Sequence, residues 1–145
     1  MAEQVYYENV NVGDEIPKLV KNCSTQQLVM WAAGAGDFYQ IHYDKDFALA
    51  LGTLPGIIVH GALKHAFLGQ MLHDWIGEKG QIKTYGCQYR GMDVPGQEIT
   101  CRGVITNKLQ EGGQNLVELD IWTEIPSGDK TTPGKATVIL PSRQG

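Results

Sequence analysis

The segment His60–Ile76, HGALKHAFLGQMLHDWI, constrains this chain more than any other. Leu63, Phe67, Met71 and Trp75 recur at four-residue spacing, and Ala62, Ala66, Leu68, Leu72 and Ile76 widen the stripe. A stripe this broad belongs to a helix buried over most of its circumference. Gly69 within it lowers helix propensity, which predicts that another element packs closely there. Any fold for the chain must therefore surround one helix.

The second half of the chain supplies the surround. Gln81–Arg90, Glu98–Lys108, Asn115–Ile125 and Lys135–Leu140 read as strands rich in Ile, Val, Thr and Tyr. Val94-Pro95-Gly96, Glu111-Gly112-Gly113-Gln114 and Ser127-Gly128-Asp129 between them are turn chemistry. The alternation in Val117-Glu118-Leu119-Asp120-Ile121 turns one face of that strand to solvent or a partner. Consecutive strands joined by short polar turns predict an antiparallel meander. The resulting architecture is α+β, with a sheet curled around the helix as its axis.

Ahead of the helix, Glu15 to Lys21 reads as a short strand interrupted by Pro17. Ser24 or Thr25 caps a helix that ends in Gly34-Ala35-Gly36, and Asp44 to Leu51 forms a second, short one. At 145 residues the chain fits one domain, 1–145, with Ser142 to Gly145 expected as a loose tail.

Composition removes several function classes. Charged residues are 19% and the net charge is −4, which is no electrostatic footprint for nucleic acid. No run of Lys or Arg suits a membrane surface, and no apolar run is long enough to span a bilayer. The acidic N-terminus lacks an apolar core, so no signal peptide is expected. Three cysteines, Cys23, Cys87 and Cys101, with no CxxC spacing, read as reduced, packed thiols in a cytoplasmic protein.

The candidate chemistry lies between Gly36 and Gly61. Asp37 and His42 fall in a short connection between helices, where functional side chains are commonly displayed. An imidazole can take and give a proton near neutral pH, and a nearby carboxylate can orient it or a water. A turn-forming Asp and a His satisfied by backbone are the alternative at this spacing. Gly61 opens the long helix, where free amides can stabilise a carbonyl oxygen that gains negative charge. A glycine demanded by close packing is the alternative there. His60 either caps that helix or lines the site. His65 and His73 form no HExxH pattern, and no metal site is expected. Asp44 and Asp46 read as helix N-terminal charges. The sequence has no GxGxxG, P-loop or GxSxG motif.

Gly36-Asp37-Phe38-Tyr39-Gln40-Ile41-His42-Tyr43-Asp44, with Ala48 and His60-Gly61, resembles the hydratase motif of the MaoC-like hot-dog family. That family includes (R)-specific enoyl-CoA hydratases and 3-hydroxyacyl-thioester dehydratases. Val12-Gly13-Asp14 and Val94-Pro95-Gly96 fall where the family has similar segments, so the resemblance spans most of the chain. It implies a hot-dog fold and reversible hydration of a trans-2-enoyl thioester of CoA or acyl carrier protein, giving the 3R alcohol. It implies Asp37 and His42 as the catalytic pair, with Gly61, His60, Tyr39, Gly56 and Ile57 contacting substrate. No metal or redox cofactor is implied. Tyr39-Gln40 stands where the family has Asn-Pro, and Gln88-Tyr89 where it has Arg-Phe. The bulky replacement is similar to divergent members acting on large, steroid-like acyl groups, some as one subunit of a heteromeric hydratase. A hot-dog thioesterase is the third reading. The open sheet edge predicts pairing into a homodimer or with another hot-dog subunit.

Overall fold

The structure, a computed structural model, describes residues 3–144. In chain order the elements are β1 (Leu19–Asn22), α1 (Thr25–Ala35), α2 (Lys45–Ala50), α3 (Gly61–Ile76), β2 (Gln81–Cys87), β3 (Glu98–Glu111), β4 (Gln114–Glu124) and β5 (Gly134–Ile139). Short 3₁₀ turns cover Tyr7–Asn9 and Gln40–His42. The five strands form one antiparallel sheet in the order β1-β3-β4-β5-β2, with α3 packed against β1, β2, β3 and β4. This is the curled sheet around a helix that the hot-dog resemblance implies.

The expected meander holds only for β3, β4 and β5. β2 pairs with β5 rather than with its sequence neighbour β3. The strand leaving α3 enters at the edge opposite β1, so the sheet reaches around both flanks of the helix. β2 also stops at Cys87, short of Arg90. Beyond it the amides of Gln88, Arg90 and Gly91 donate to the carbonyls of Pro133 and Thr131. β1 begins after Pro17 instead of running across it, because proline has no N–H for the ladder. Glu15 makes only an isolated bridge to Val104.

Burial follows the sequence stripe. Leu63, Phe67, Leu68, Met71, Leu72, Trp75 and Ile76 of α3 are all buried. They meet the inward residues of the sheet, where Ile105 pairs Leu119 and Gly103 pairs Ile121 across the β3–β4 ladder. Each fully buried aliphatic side chain of this kind contributes about 1.5–3 kcal/mol. The close approach expected at Gly69 comes from β2: a Cβ there would lie 2.5 Å from the Tyr85 hydroxyl.

The elements carrying the loops are capped as their sequences suggest. Ser24 Oγ accepts from the Gln27 amide at 3.1 Å, and Asp44 Oδ1 accepts from the Phe47 amide at 2.9 Å. Gly36 closes α1 in the left-handed region at φ 74°, with its N–H donating to the Ala32 carbonyl. At the other end, Ser142 Oγ donates to Glu8 at 2.5 Å and the Arg143 guanidinium lies over the Tyr6 ring. The tail expected to be loose is thus tied down over Ser142 and Arg143, while Gly145 lies outside the described residues. Among the described residues no helix is long and apolar enough to cross a membrane.

Gly69→Ala tests the α3–β2 contact. Helix propensity alone favours alanine by about 1 kcal/mol. The clash with Tyr85 outweighs it, so the melting temperature should fall. A rise would show that β2 does not press on α3 at that point.

Candidate active site

Asp37 and His42 sit on the connection between α1 and α2. Gly36 ends α1 and sends the chain outward, and the following 3₁₀ turn points His42 back into the molecule. His42 is buried, whereas the Asp37 side chain is 47% exposed. His42 Nδ1 donates to the Ile58 carbonyl at 2.7 Å, because a carbonyl can only accept. In the neutral ring that bond selects the Nδ1–H tautomer and turns the lone pair of Nε2 to the cleft. Nε2 lies 3.9 Å from Asp37 Oδ2, too far for a direct hydrogen bond.

His60 stands behind this pair. Its ring stacks on that of His42 with centroids 3.8 Å apart and planes 19° from parallel. Its Nε2 donates to the backbone carbonyl of Asp37 at 3.3 Å, and its buried Nδ1 has no partner. Burial, and then the neighbouring His42, hold His60 below the ordinary imidazole range. His60 does not cap α3 with its side chain, so the first amides of that helix keep no side-chain acceptor.

Donor atoms of Asp37, His42 and His60 lie within 4.8 Å of one another. The lone pairs of two stacked rings lie in two nearly parallel planes and do not meet at one point, and one nitrogen of each ring already holds a carbonyl. A tetrahedral ion needs donors that converge, so this arrangement does not suit one.

Asp37, His42 and Gly61 line one cleft of about 380 Å³. The cleft draws on Ile58 through the first turn of α3, and on Tyr89 to Met92 in the connection between β2 and β3. The Tyr89 ring presses on Gly61, where a Cβ would come within 2.5 Å of it. Close packing therefore demands glycine at 61, whatever else its amide does. The other residues expected to touch substrate stand apart from the lining. Gly56 is buried in the hinge at φ 142°, and Ile57 packs against the core. Tyr39 is exposed, edge-on to His42 and Phe47. A wider groove of about 590 Å³ crosses β2, β4 and β5 beside Trp122 and Lys130. It holds no imidazole and no helix start, whereas the candidate acid–base pair Asp37 and His42 lines the smaller cleft.

Comparison with known proteins bears on the family and the fold. The family model of the MaoC like domain matches residues 9–122. The chain belongs to the MaoC-like domain family. Its fold is similar to that of the (R)-hydratase from A. caviae involved in PHA biosynthesis, at 24% identity and a TM-score of 0.82, covering 92% of this chain and 99% of that one. It is similar to R-hydratase PhaJ1 from Pseudomonas aeruginosa, at 19% identity and a TM-score of 0.84, covering 98% and 89%. It is also similar to a chain of the ChsH1-ChsH2 complex from Mycobacterium tuberculosis, at 22% identity and a TM-score of 0.77, covering 90% and 98%. No curated protein sequence matches the chain.

One cleft residue and its buried partner escape a reading by motif. Lys64 is 1% exposed, and its Nζ donates to the Gly91 carbonyl at 2.9 Å and to the carboxylate of Asp93, itself fully buried. The signal for Lys64 was available: it stands in the four-spaced row Lys64, Leu68, Leu72, Ile76, a lone charge among buried positions. Asp93 precedes Val94-Pro95-Gly96 and is indistinguishable there from a turn residue. The thiols are not activated: burial raises Cys23 and Cys87 and pushes Cys101 up to about 12.

His60 gives the fold an acid sensitivity of known sign. Its folded pKa lies below the unfolded value, so the unfolded chain binds the extra proton and stability falls as pH drops below about 6.5. His60→Gln keeps a donor for the Asp37 carbonyl without titrating. Its denaturant midpoint should fall less steeply than the parent's between about pH 7 and 5.5. Equal slopes would assign the acid sensitivity to other groups.

Proposed function

We propose that this chain is an enoyl-thioester hydratase, adding water reversibly to trans-2-enoyl thioesters to give (3R)-3-hydroxyacyl thioesters. The observation that carries the reading is the 3.9 Å gap between His42 Nε2 and Asp37 Oδ2 on the cleft. A water at about 2.8 Å from both atoms forms the apex of a triangle on that base, so two acceptors hold one nucleophile.

Each step follows from the groups in place. His42 Nε2 takes a proton from the water while its Nδ1–H stays on the Ile58 carbonyl. The water oxygen bonds to C3 as the C2=C3 π electrons move toward the thioester. The oxygen gaining charge there is stabilised by the uncapped amide of Gly61 at the positive end of α3. The imidazolium, paired with the Asp37 carboxylate, then returns its proton to C2 from the same face. The step balances: one π bond and one O–H bond of the water break, one C–O and one C–H bond form, and His42 is regenerated. No metal or redox group takes part in this scheme, and CoA or acyl carrier protein enters as part of the substrate.

A second reading places this chain in a heteromeric hydratase. Phe38, Tyr39, Tyr43, Tyr89 and Met92 are exposed large apolar residues near the cleft, and β2 lies at an open sheet edge. A partner subunit would cover both, and one similar fold is a chain of a two-component complex. A thioesterase has less support, since the first turn of α3, Gly61-Ala62-Leu63-Lys64, carries no carboxylate, and the buried Asp93 is held by Lys64.

Hydration of crotonyl- and longer enoyl-CoA, followed by loss of thioester ultraviolet absorbance, is the direct test. Asp37→Asn and His42→Ala should each lower kcat/KM by about 10²–10⁴-fold; the melting temperature should hold in Asp37→Asn and fall in His42→Ala, which vacates a buried, stacked ring. Activity surviving in both variants would remove the assigned roles. Activity appearing only after co-expression with another hot-dog subunit favours the heteromer, and release of free CoA to a thiol reagent favours the thioesterase.

A further inference from the structure

The buried pair Lys64–Asp93 has no place in the scheme above. Charges taken out of water at 1% and 0% exposure are costly, and an apolar pair of similar volume would often serve stability as well. What the pair does is hold three segments together. Lys64 Nζ on α3 donates to the Gly91 carbonyl and to Asp93 Oδ2. Asp93 Oδ1 accepts from Thr131 Oγ1 at 2.9 Å, and Thr131 Oγ1 is also 2.9 Å from Thr123 Oγ1. The Asp93 carbonyl accepts from the Val59 amide at 2.8 Å.

That last bond leads back to the site. Val59 follows Ile58, whose amide donates to the Ile41 carbonyl at 3.0 Å and whose carbonyl receives His42 Nδ1–H. The same ion pair thus anchors the cleft segment Tyr89–Met92 and, through one backbone amide, the carbonyl that selects the tautomer of His42. We infer that Lys64 and Asp93 are positioning residues: they fix the Ile58 carbonyl so that His42 presents Nε2 to the cleft. For the effect on catalysis this rests on the hydratase reading. For the state of the His42 ring it does not.

The double variant Lys64→Met/Asp93→Leu removes both charges without leaving either unpaired. Long-range ¹H–¹⁵N spectra at about pH 8, where imidazoles are neutral, report the tautomer, with His42 assigned by its loss in His42→Gln. In the parent, the His42 proton should reside on Nδ1. In the folded double variant it should exchange between both nitrogens, and kcat should fall about 10- to 100-fold with KM changed far less. Thr131→Val loosens the same network without touching the charges, and it decides the matter if the double variant does not fold. It should move both readouts in the same direction by a smaller factor. A folded variant that keeps the Nδ1–H tautomer overturns the inference. A parent enzyme without hydratase activity overturns the hydratase reading instead, and leaves the tautomer result standing on its own.

Discussion

Covering α3 is the constraint on which the rest of the structure depends. A helix buried on most sides cannot be served by a flat sheet, because a flat sheet meets only one stripe. The sheet therefore curls, and the strand after the helix joins the edge opposite β1. The price is a long crossing from β2 to β3, and that crossing becomes a wall of the cleft. The pocket at the start of α3 is a by-product of enclosing the helix.

The two ends of α3 are used differently. Toward its C-terminus the buried row is Leu68, Leu72, Trp75 and Ile76, ordinary apolar packing. Around its start, the buried groups are His42, His60, Lys64 and Asp93. Polar groups away from water must find partners, and here they find them mainly in backbone carbonyls: Ile58 for His42, Asp37 for His60 and Gly91 for Lys64. Side chains bonded to backbone lock loops as well as themselves. A loop-built site gains in this way some of the rigidity that a site on helices or strands has from the start.

Most of this fold was legible in the sequence because its signals are local. The stripe of α3, the caps Ser24 and Asp44 and the glycine-rich turns each act within a few residues. Strand order was not local: nothing in Gln81–Cys87 says that it pairs with β5. The site was legible in the same degree. Asp37 and His42 stood out by spacing, and Gly61 by its place at a helix start. The lock on His42 was hidden, because its partner is a backbone carbonyl at Ile58 and any residue there would present the same atom. Gly56 and Ile57, which the resemblance placed against substrate, stand outside the cleft lining, Gly56 buried in the hinge and Ile57 against the core.

Asp37 is held in place by its main chain. His60 grips its carbonyl, and the carboxylate makes only a 3.3 Å contact to the Tyr39 amide. The side chain at 37 can therefore be exchanged while the loop keeps its path. Acid strength, reach and polarity at that position become separable from the stability of the scaffold, which makes residue 37 the natural place to retune or repurpose the chemistry of this cleft.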